Sequence, residues 1–346
     1  MYDYVMFDCS VSNPLERLVS LGLDKASYMN RNEVQMLNEQ PPDYDENSRL
    51  LRAFSFGGGV QSHAVLALQA MGMLLEPYDV FLFSNVGHDS ENPDTLAYLH
   101  EYTIPFCEEF SIPFVELRRN IRGRGETTLV EEIFYQQRSI IIPAYFGQGG
   151  FGNRNCTTDF KVRVIDRYIR DQGHTHGIIG LGISTDEFQR ARSTNWHHYE
   201  GQDYESDPAA PTQTAFEGME AEPEAEKAKR NIGFWKRREY PLLNMRIDRA
   251  ACAGVSQQAG LPVPPKSSCF FCPFTRPQEW VELKENHPEL FEQAVEIEDA
   301  INEKRLHLAK DGMFLHRAKR PLREAVFAPE PTMFDDDGCD SGHCFV

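Results

Sequence analysis

The sequence has no long apolar stretch: none of its runs approaches the ~20 residues that a helix needs to cross a bilayer. Its first residues, MYDYVMFDCS, carry neither the basic segment nor the long apolar segment of a secretory signal. Both absences argue against a membrane or secreted protein. We therefore expect a soluble, cytoplasmic protein with no membrane partner.

An excess of positive charge is also missing, because 53 acidic residues outnumber 35 basic ones and give a net charge of −18. Broad non-specific binding to DNA needs a basic face and is therefore not expected, although a restricted basic groove stays compatible with this balance. The eight cysteines, without a secretory signal, are expected to be thiols, metal ligands or catalytic groups rather than a disulfide framework.

What the sequence does contain, from residue 49 onward, is an alternation of short apolar strands and amphipathic helices. Strands are predicted in RLLRAFSF (49–56), YDVFLFSNVG (78–87), IPFVELRR (112–119), THGIIGLGIS (175–184) and REYPLLNM (238–245). Helices are predicted in SHAVLALQAMGMLL and in NPDTLAYLHEYTIPF, the second capped by Asn92 or Asp94. This alternation is typical of an α/β fold with a parallel, doubly wound, Rossmann-like sheet.

Composition divides the chain into five parts. We predict an N-terminal extension (1–48), a nucleotide-binding domain (49–200), an acidic flexible insertion (201–232), a helical, cysteine-bearing region that completes the domain (233–328) and a flexible cysteine-containing tail (329–346). The insertion is rich in Glu, Ala and Pro and poor in large apolar residues, which is why we do not assign it to the core.

Three consecutive glycines stand where the first predicted strand meets the first predicted helix, in FSFGGGVQS (54–62). A glycine-rich turn at this point presents backbone amides to an anion, and the helix start adds a favourable partial charge. Ser62 could donate its hydroxyl to a phosphate. The run lacks the Gly-Lys-Ser/Thr ending of a Walker A loop and the spacing of G-x-G-x-x-G. Taken alone, it is equally compatible with a turn that only lets strand and helix pack.

Two further loops follow predicted strands, in SNVGHDSENP (84–93) and GISTDEFQR (182–190). Ligands of parallel sheets bind beyond the carboxyl ends of the strands, so the three loops together predict a ligand site at this edge. In the third loop, Asp186 and Glu187 could hold Mg²⁺ or cap a helix.

Two basic stretches contrast with the acidic balance of the chain. RRNIRGRGE (118–126) follows a predicted strand and places Arg122 and Arg124 at the ligand edge as candidate anion ligands. The helix predicted in KVRVIDRYIRDQGH, which begins at Lys161, either faces phosphates or is a solvated helix face.

Taken together, the three loops resemble those of the PP-loop superfamily, which includes the phosphoadenosine phosphosulfate (PAPS) reductases and the ATP-dependent sulfurtransferases. The family signature S-G-G-x-D/x-S aligns its two glycines with Gly58 and Gly59 and its last serine with Ser62. Gly57 replaces the first serine, and Val60–Gln61 replace a Lys-Asp pair. FSNVGHDSENPDTL is similar to the second family loop and GISTDEFQRAR to the third, so the resemblance covers roughly residues 50–195.

The resemblance implies an adenine-nucleotide site, for ATP or adenylylated sulfate, built from all three loops. Its expected members are Ser55, Gly57, Gly58, Gly59, Gln61, Ser62, Asn85, Gly87, Gly182 and Ser184. The expected catalytic residues are Ser62, Asp186 and Arg190, with Mg²⁺ as a cofactor. The expected anion or substrate ligands are Arg122, Arg124, Arg154 and Lys161.

Cys269 and Cys272 form a C-x-x-C pair in KSSCFFCPF, a spacing that suits one metal site or a redox pair. PAPS-reductase-like proteins have a similar pair, with an Arg-x-Cys segment and a further cysteine before it, which correspond here to Cys156 and Cys252. The resemblance therefore implies one four-cysteine site for a [4Fe–4S] cluster, with Zn²⁺ as the structural alternative. Four unrelated buried cysteines are the simpler alternative.

The implied function is adenylation: a substrate oxygen attacks the α-phosphate of ATP, pyrophosphate leaves, and a sulfur nucleophile displaces the adenylate. The acceptor would be a nucleic acid or a small molecule, and a sulfur donor or thiol reductant would be the second partner. One alternative is a genuine sulfonucleotide reductase, and another is a non-catalytic nucleotide- and cluster-binding subunit or sensor. In the tail, Cys339 and Cys344 would either carry sulfur to the site or belong to a frayed end.

Overall fold

The computed structural model of the protein describes residues 41–136, 140–199, 233–307 and 311–326. The predicted extension up to residue 40, the predicted insertion at 201–232 and the tail with Cys339 and Cys344 lie outside the described residues. Within the described ranges, every helix is too short or too polar to cross a membrane.

Six strands form the central sheet: β1 Leu50–Phe56, β2 Val80–Asn85, β3 Phe114–Arg118, β7 His176–Leu181, β8 His197–Tyr199 and β9 Phe234–Glu239. Their spatial order is β3-β2-β1-β7-β9-β8, and all neighbours are parallel except β8, which pairs antiparallel with β9. Two small antiparallel pairs lie outside this sheet: β4 Asn120–Ile121 with β5 Gly125–Glu126, and β6 Tyr145–Phe146 with β10 Met313–Phe314. The predicted α/β fold is confirmed, and the sheet is consistent with a Rossmann-like fold. The sheet was predicted to be parallel throughout, and its β8 edge differs because that strand is antiparallel.

Helices connect the strands and extend the carboxyl half. They are α1 Val60–Ala70, α2 Pro93–Tyr98, α3 Ile104–Glu109, α4 Leu129–Tyr135, α5 Asn155–Thr157, α6 Arg163–Asp171, α7 Pro241–Asn244, α8 Arg249–Gln258, α9 Pro277–Asn286, α10 Pro288–His307 and α11 Leu322–Ala325. Single π-helical turns join α2 to α3 and α5 to α6, and a 3₁₀ segment spans Thr185–Arg190. Asn92 caps α2 by accepting the amide of Asp94 at 2.9 Å, as predicted.

Both faces of the sheet are covered, which the side chains of β1 show most directly. Successive side chains of a strand point to opposite faces. Phe54 and Phe56 pack into the hydrophobic cluster that contains α1 and α8, whereas Leu51 and Ala53 pack into the cluster that contains α6. The doubly wound arrangement therefore follows from the alternation within this strand.

The strand predicted in REYPLLNM (238–245) is wrong, because the strand lies earlier, at Phe234–Glu239. Pro241 instead starts α7, where its fixed φ and missing amide cost nothing. The strand was not recognised because its basic residues look solvent-exposed. Lys236 is nevertheless buried, and its ammonium pairs with the carboxylate of Asp166 at 2.6 Å.

A separate hydrophobic cluster organises the carboxyl half of the chain. It combines α4 with α9, α10 and α11 around fully buried Trp280 and Phe291, and it includes Phe271 from the C-x-x-C segment. The region predicted to be helical (233–328) contains α9 and α10, which Pro288 divides. This cluster positions the cysteines beside the edge of the sheet.

Candidate functional site

The carboxyl edge of the parallel sheet carries the three predicted ligand loops side by side. β1, β2 and β7 are neighbours in the sheet, so the loops after Phe56, Asn85 and Leu181 leave from one edge. The first and third loops lie close together: there is room for no more than a methyl group between Gly182 and the backbone of Ser62, since a Cβ at Gly182 would lie 3.4 Å from the Ser62 nitrogen. The structure thus brings together segments that are far apart in the sequence.

The glycine loop is closed by hydrogen bonds of its own backbone. The amide of Gly57 donates to Oγ of Ser62 at 2.9 Å, and its carbonyl accepts the hydroxyl of Ser267. Gly58 has a φ of +78°, and a Cβ there would lie 3.2 Å from Oγ of Ser267, so this position requires glycine. Gly57 and Gly58 are buried, which leaves half-buried Gly59 as the accessible member of the three.

The start of α1, directly after this loop, is suited to an anion. Its N-cap is Gly59, which has no side chain to cap the first turn, and that turn contains no acidic residue. Helix starts present amides and a positive partial charge to whatever lies in front of them. Ser62 accepts the Gly57 amide, so its hydroxyl proton can still be donated to a ligand. Ser55 is half-buried on β1, one residue before the end of the strand.

Gln61 ties the glycine loop to the third loop. Its side-chain amide donates to Oγ of Ser184 at 3.0 Å and to Oε2 of Glu187 at 2.9 Å, and its oxygen accepts from Arg249 at 3.3 Å. Glu187 also pairs with Arg190, and both side chains are only 3% exposed. Burial raises the pKa of Glu187, and the Arg190 guanidinium opposes that shift. A buried charged network therefore holds the two loops in place.

Asp186 and Glu187 do not form the acidic pair that a magnesium ion would need. Asp186 is exposed, and its Oδ1 accepts the backbone amide of Arg249 at 3.1 Å, at the start of α8. Glu187 is buried and held by Arg190. Asp186 thus accepts one amide of the first turn of α8, whose N-cap is Asp248, and does not cap the helix that follows its own loop. The two carboxylates do not fit a shared Mg²⁺.

Asn85 holds the second loop through two hydrogen bonds of its side chain. Its Oδ1 accepts the amide of Gly87 at 2.8 Å, and its Nδ2 donates to Glu116 at 2.9 Å. Gly87 has a φ of +129°, and a Cβ there would lie 2.5 Å from Cβ of Thr128. Asp89 accepts the Thr128 hydroxyl at 2.8 Å, which docks the loop onto the start of α4. The second loop is therefore rigidly attached to the carboxyl edge.

The four predicted anion ligands lie in two places. Arg122 and Arg124 belong to the β4–β5 hairpin, where Arg122 is exposed and Arg124 pairs with the buried carboxylate of Glu132 at 3.0 Å. Arg154 and Lys161 instead line a cavity beside the second loop. The charge of Arg124 is therefore already used within the protein.

Three of the four predicted cysteine ligands meet at the same cavity, which we call the cysteine cavity. Cys156, Cys269 and Cys272 line it together with Arg154 and Lys161. Cys156 comes from α5, and the other two lie on a turn in which the Cys272 amide donates to the Cys269 carbonyl at 3.1 Å. The wall also includes part of the second loop.

Cys252 lies apart from these three residues. It is fully buried in α8, in the cluster that packs α8 against α1, and burial raises the pKa of its thiol. In the described part of the chain, no group of three or more His, Cys, Asp or Glu side chains is already arranged to hold a metal ion. By chemistry, the three thiols of the cysteine cavity fit Zn²⁺ or an iron–sulfur cluster. Cys252 is not among the residues that line this cavity.

Glu91, which the sequence did not single out, has the most unusual environment near this cavity. It is 1% exposed, and within the described ranges neither carboxylate oxygen has a hydrogen-bond partner of normal geometry. Burial raises its pKa, against the opposing effects of Lys161 and, more weakly, of the nearby Val86 amide. Its backbone pairs with Cys269 in an isolated antiparallel bridge. A single acid in a polar loop gives no sequence signal of such an environment.

Ser267 and Arg249 are two further residues that the sequence did not predict. Ser267 bonds to the glycine loop, and Cys269, two residues later, lines the cysteine cavity. The S-x-C-x-x-C-P pattern contains Ser267, so a signal for it existed. Arg249 reaches Gln61 from α8, and nothing local in the sequence indicates that contact.

Comparison with known proteins gives no match: no family model, no curated protein and no solved structure is significantly similar to this chain. The interpretation of its function therefore rests on the three loops, the cysteine cavity and the contacts between them.

Proposed function

We propose that the chain is a PP-loop-type enzyme that binds an adenine nucleotide, adenylates its substrate with release of pyrophosphate and completes a sulfur transfer at the cysteine cavity. The observation that most supports this proposal is the continuity of the two sites. Ser267 contacts the glycine loop, while Cys269 and Cys272 in the same short segment line the cysteine cavity. A nucleotide at the loop and a sulfur group at the cavity would therefore react across a short distance.

In the first step, the nucleotide phosphates lie against Gly59 and the first turn of α1, and Ser62 donates its hydroxyl to them. A substrate oxygen attacks the α-phosphorus, the bond to the β-phosphate breaks, and pyrophosphate leaves with the electron pair. Fixed amides stabilise the charge that develops on the phosphates at no cost of reorganisation. Gln61 keeps the loop in register with Ser184, which preserves that alignment.

In the second step, a sulfur nucleophile attacks the carbon that bears the adenylate, so that a C–S bond forms, the C–O bond breaks and AMP leaves. Arg154 and Lys161 supply positive charge beside the thiols of the cysteine cavity, which favours thiolates and anionic sulfur species. A metal or cluster held by Cys156, Cys269 and Cys272 would supply a binding position for sulfur.

A second candidate function is sulfonucleotide reduction, and the same two cations favour it. Arg154 and Lys161 beside three thiols also suit a sulfonate group that a thiolate attacks, with a thiol reductant as the electron donor. Product analysis separates the functions: pyrophosphate from ATP supports the first, and sulfite from adenylylated sulfate supports the second. Tight nucleotide binding without either product would instead support a non-catalytic binding subunit. The burial of Gly57 and Gly58 is the feature of the loop that favours this third function.

The glycine loop offers a direct test of nucleotide binding. Gly58→Ala introduces a Cβ at positive φ, 3.0 Å from Thr95 and 3.2 Å from Ser267, so the loop must shift. We expect the affinity for ATP, measured by calorimetric titration, to fall at least about tenfold, which corresponds to about 1.4 kcal/mol.

Gly72→Ala is the matched control, because Gly72 also has a positive φ of +66° but would meet nothing within 4 Å. It follows the other end of α1 and carries the same backbone strain, roughly 1–2 kcal/mol. Equal ATP affinity in the two variants would contradict nucleotide binding at the loop.

A further inference from the structure

We infer that Glu91 provides the fourth ligand at the cysteine cavity, a carboxylate oxygen beside the thiolates of Cys156, Cys269 and Cys272, in the place that the sequence assigned to Cys252. The inference rests on the metal-bearing part of the proposed function and is independent of nucleotide binding. Its basis is the position of Glu91, its burial and the chemistry of its neighbours.

The backbone places the Glu91 side chain next to a cavity-lining thiol. The carbonyl of Ser90 accepts the amide of Phe270 at 3.3 Å, and the carbonyl of Ser268 accepts the amide of Asn92 at 3.1 Å. These two bonds flank Glu91 and Cys269 and make them a non-hydrogen-bonded antiparallel pair. In such pairs the Cα atoms are about 4.5 Å apart and the two side chains leave the same face.

The Glu91 carboxylate lies near the charge of Lys161 but lacks hydrogen bonds of normal geometry within the described residues. The other buried glutamates of the described ranges each have a partner: Glu132 has Arg124, Glu187 has Arg190, and Glu298 accepts two backbone amides. Both oxygens of Glu91 are buried, and neither accepts a hydrogen bond of normal geometry in that part of the chain. Such groups are costly and call for an ion or ordered water that completes their environment.

The chemistry of the donor set agrees with this assignment. Zinc accepts cysteine sulfur and carboxylate oxygen in one tetrahedral site. Lys161 and Arg154 at the same cavity offset the negative charge of three thiolates and one carboxylate. Cys252, by contrast, faces the apolar interface of α8 and α1, where a thiolate would be poorly solvated.

The test compares metal binding by the full chain with binding by Glu91→Gln and Cys252→Ala, all prepared without oxygen. One set is titrated with Zn²⁺ against a chromophoric chelator, and a second is reconstituted with ferrous iron and sulfide and read by absorption spectroscopy. We expect Glu91→Gln to lose at least about tenfold in metal affinity, and Cys252→Ala to bind like the wild type.

Glu298→Gln is the matched control for removing a buried carboxylate, since Glu298 is 2% exposed and lies in the same half of the chain. It should lower stability and leave the metal content of the folded protein unchanged. Should Glu91→Gln fail to fold by circular dichroism, Glu91→Cys replaces the oxygen donor with a thiolate. That variant should retain metal with a shifted absorption spectrum.

The assignment would be overturned if folded Glu91→Gln bound metal with the affinity and spectrum of the wild type. It would also be overturned if Cys252→Ala lost the metal while Glu91→Gln kept it. A wild-type chain that binds neither zinc nor iron would overturn it together with the metal-bearing part of the proposed function. Calorimetric titration with ATP would still decide nucleotide binding in that case.

Discussion

The glycine-loop edge and the cysteine cavity are neighbours, yet they satisfy their polar groups in different ways. At the edge, Oε2 of Glu187 accepts from Gln61 and pairs with Arg190, whereas Oε1 of Glu187 has no hydrogen-bond partner among the described residues. At the cavity, three thiols and two cations surround an open space, and Glu91 beside it keeps both oxygens unsatisfied among the described residues. Paired charges therefore hold the loops at the edge, whereas at the cavity the described residues give the Glu91 carboxylate no hydrogen bond of normal geometry.

The difference has a structural cause. The edge is made by loops that leave adjacent parallel strands, so the sheet itself fixes their spacing. The cavity is lined by segments that do not leave adjacent strands of the sheet, among them the second loop, the region of α5 and the turn with the C-x-x-C pair. A short backbone bridge between Glu91 and Cys269 joins two of them. Loss of a partner should therefore destabilise the fold at the edge, and change ligand binding more than stability at the cavity.

The largest effect on stability is expected at the edge, from Arg190→Met. The substitution leaves the Glu187 carboxylate buried without its cation, and breaking a buried pair in this way costs about 3–5 kcal/mol. Urea denaturation followed by circular dichroism would measure the loss. Nucleotide affinity should fall as well, because Glu187 also accepts from Gln61.

Arg167→Met is the control, because Arg167 pairs with Asp171 in an exposed i,i+4 arrangement on α6. Such pairs contribute about 0.3–0.5 kcal/mol, so this variant should be nearly as stable as the wild type. A loss below about 1 kcal/mol in Arg190→Met would show that the edge is not held by this pair.

Much of the fold could be predicted from local patterns. Short apolar runs between turn signals located β1, β2, β3 and β7, and one of the two expected caps of α2, Asn92, is the cap in the structure. β9 could not be found in this way, because burial of Lys236 depends on Asp166, seventy positions earlier in the chain. A charge that is neutralised by a distant partner looks solvent-exposed in the sequence.

The candidate site shows the same limit. Parallel topology predicted that the loops at Gly57, Asn85 and Gly182 would converge, and they do. Motif order grouped Cys252 with the other cysteines, but the packing of α8 against α1 decides where its side chain lies. The environment of Glu91 depends on a backbone bridge to Cys269, which no local pattern encodes.

A smaller effect concerns the framework of the cavity, where Glu298 on α10 accepts the amides of Leu315 and Leu322, both at 2.6 Å. Burial outweighs these bonds and raises its pKa from 4.5 to about 7. The folded protein thus binds the proton more tightly, so this contribution is present below about pH 4.5 and is lost as the pH rises through about 7. The contribution is at most about 3 kcal/mol.

The comparison of wild type with Glu298→Gln should reveal that pH dependence. The variant cannot titrate at this position. As the pH rises from 4.5 to 7, the free energy of unfolding of the wild type should therefore fall relative to that of the variant. Glu292→Gln, which changes an exposed carboxylate on the same helix, should follow the wild type across this range. A constant difference between wild type and Glu298→Gln would refute the assigned titration.

The smallest effect tests the contact between the two regions. Ser267→Ala removes the hydroxyl that bonds to the Gly57 carbonyl, and Ser256→Ala removes a buried hydroxyl–carbonyl bond of the same kind, to Cys252 within α8. Each variant should lose about 1 kcal/mol of stability. Of these two serines, Ser267 contacts the glycine loop and precedes Ser268, which lines the cysteine cavity. Only Ser267→Ala of the two should therefore also weaken ATP binding, by about threefold. If both variants bind ATP equally well, the edge and the cavity act independently and the proposed transfer between them loses its structural basis.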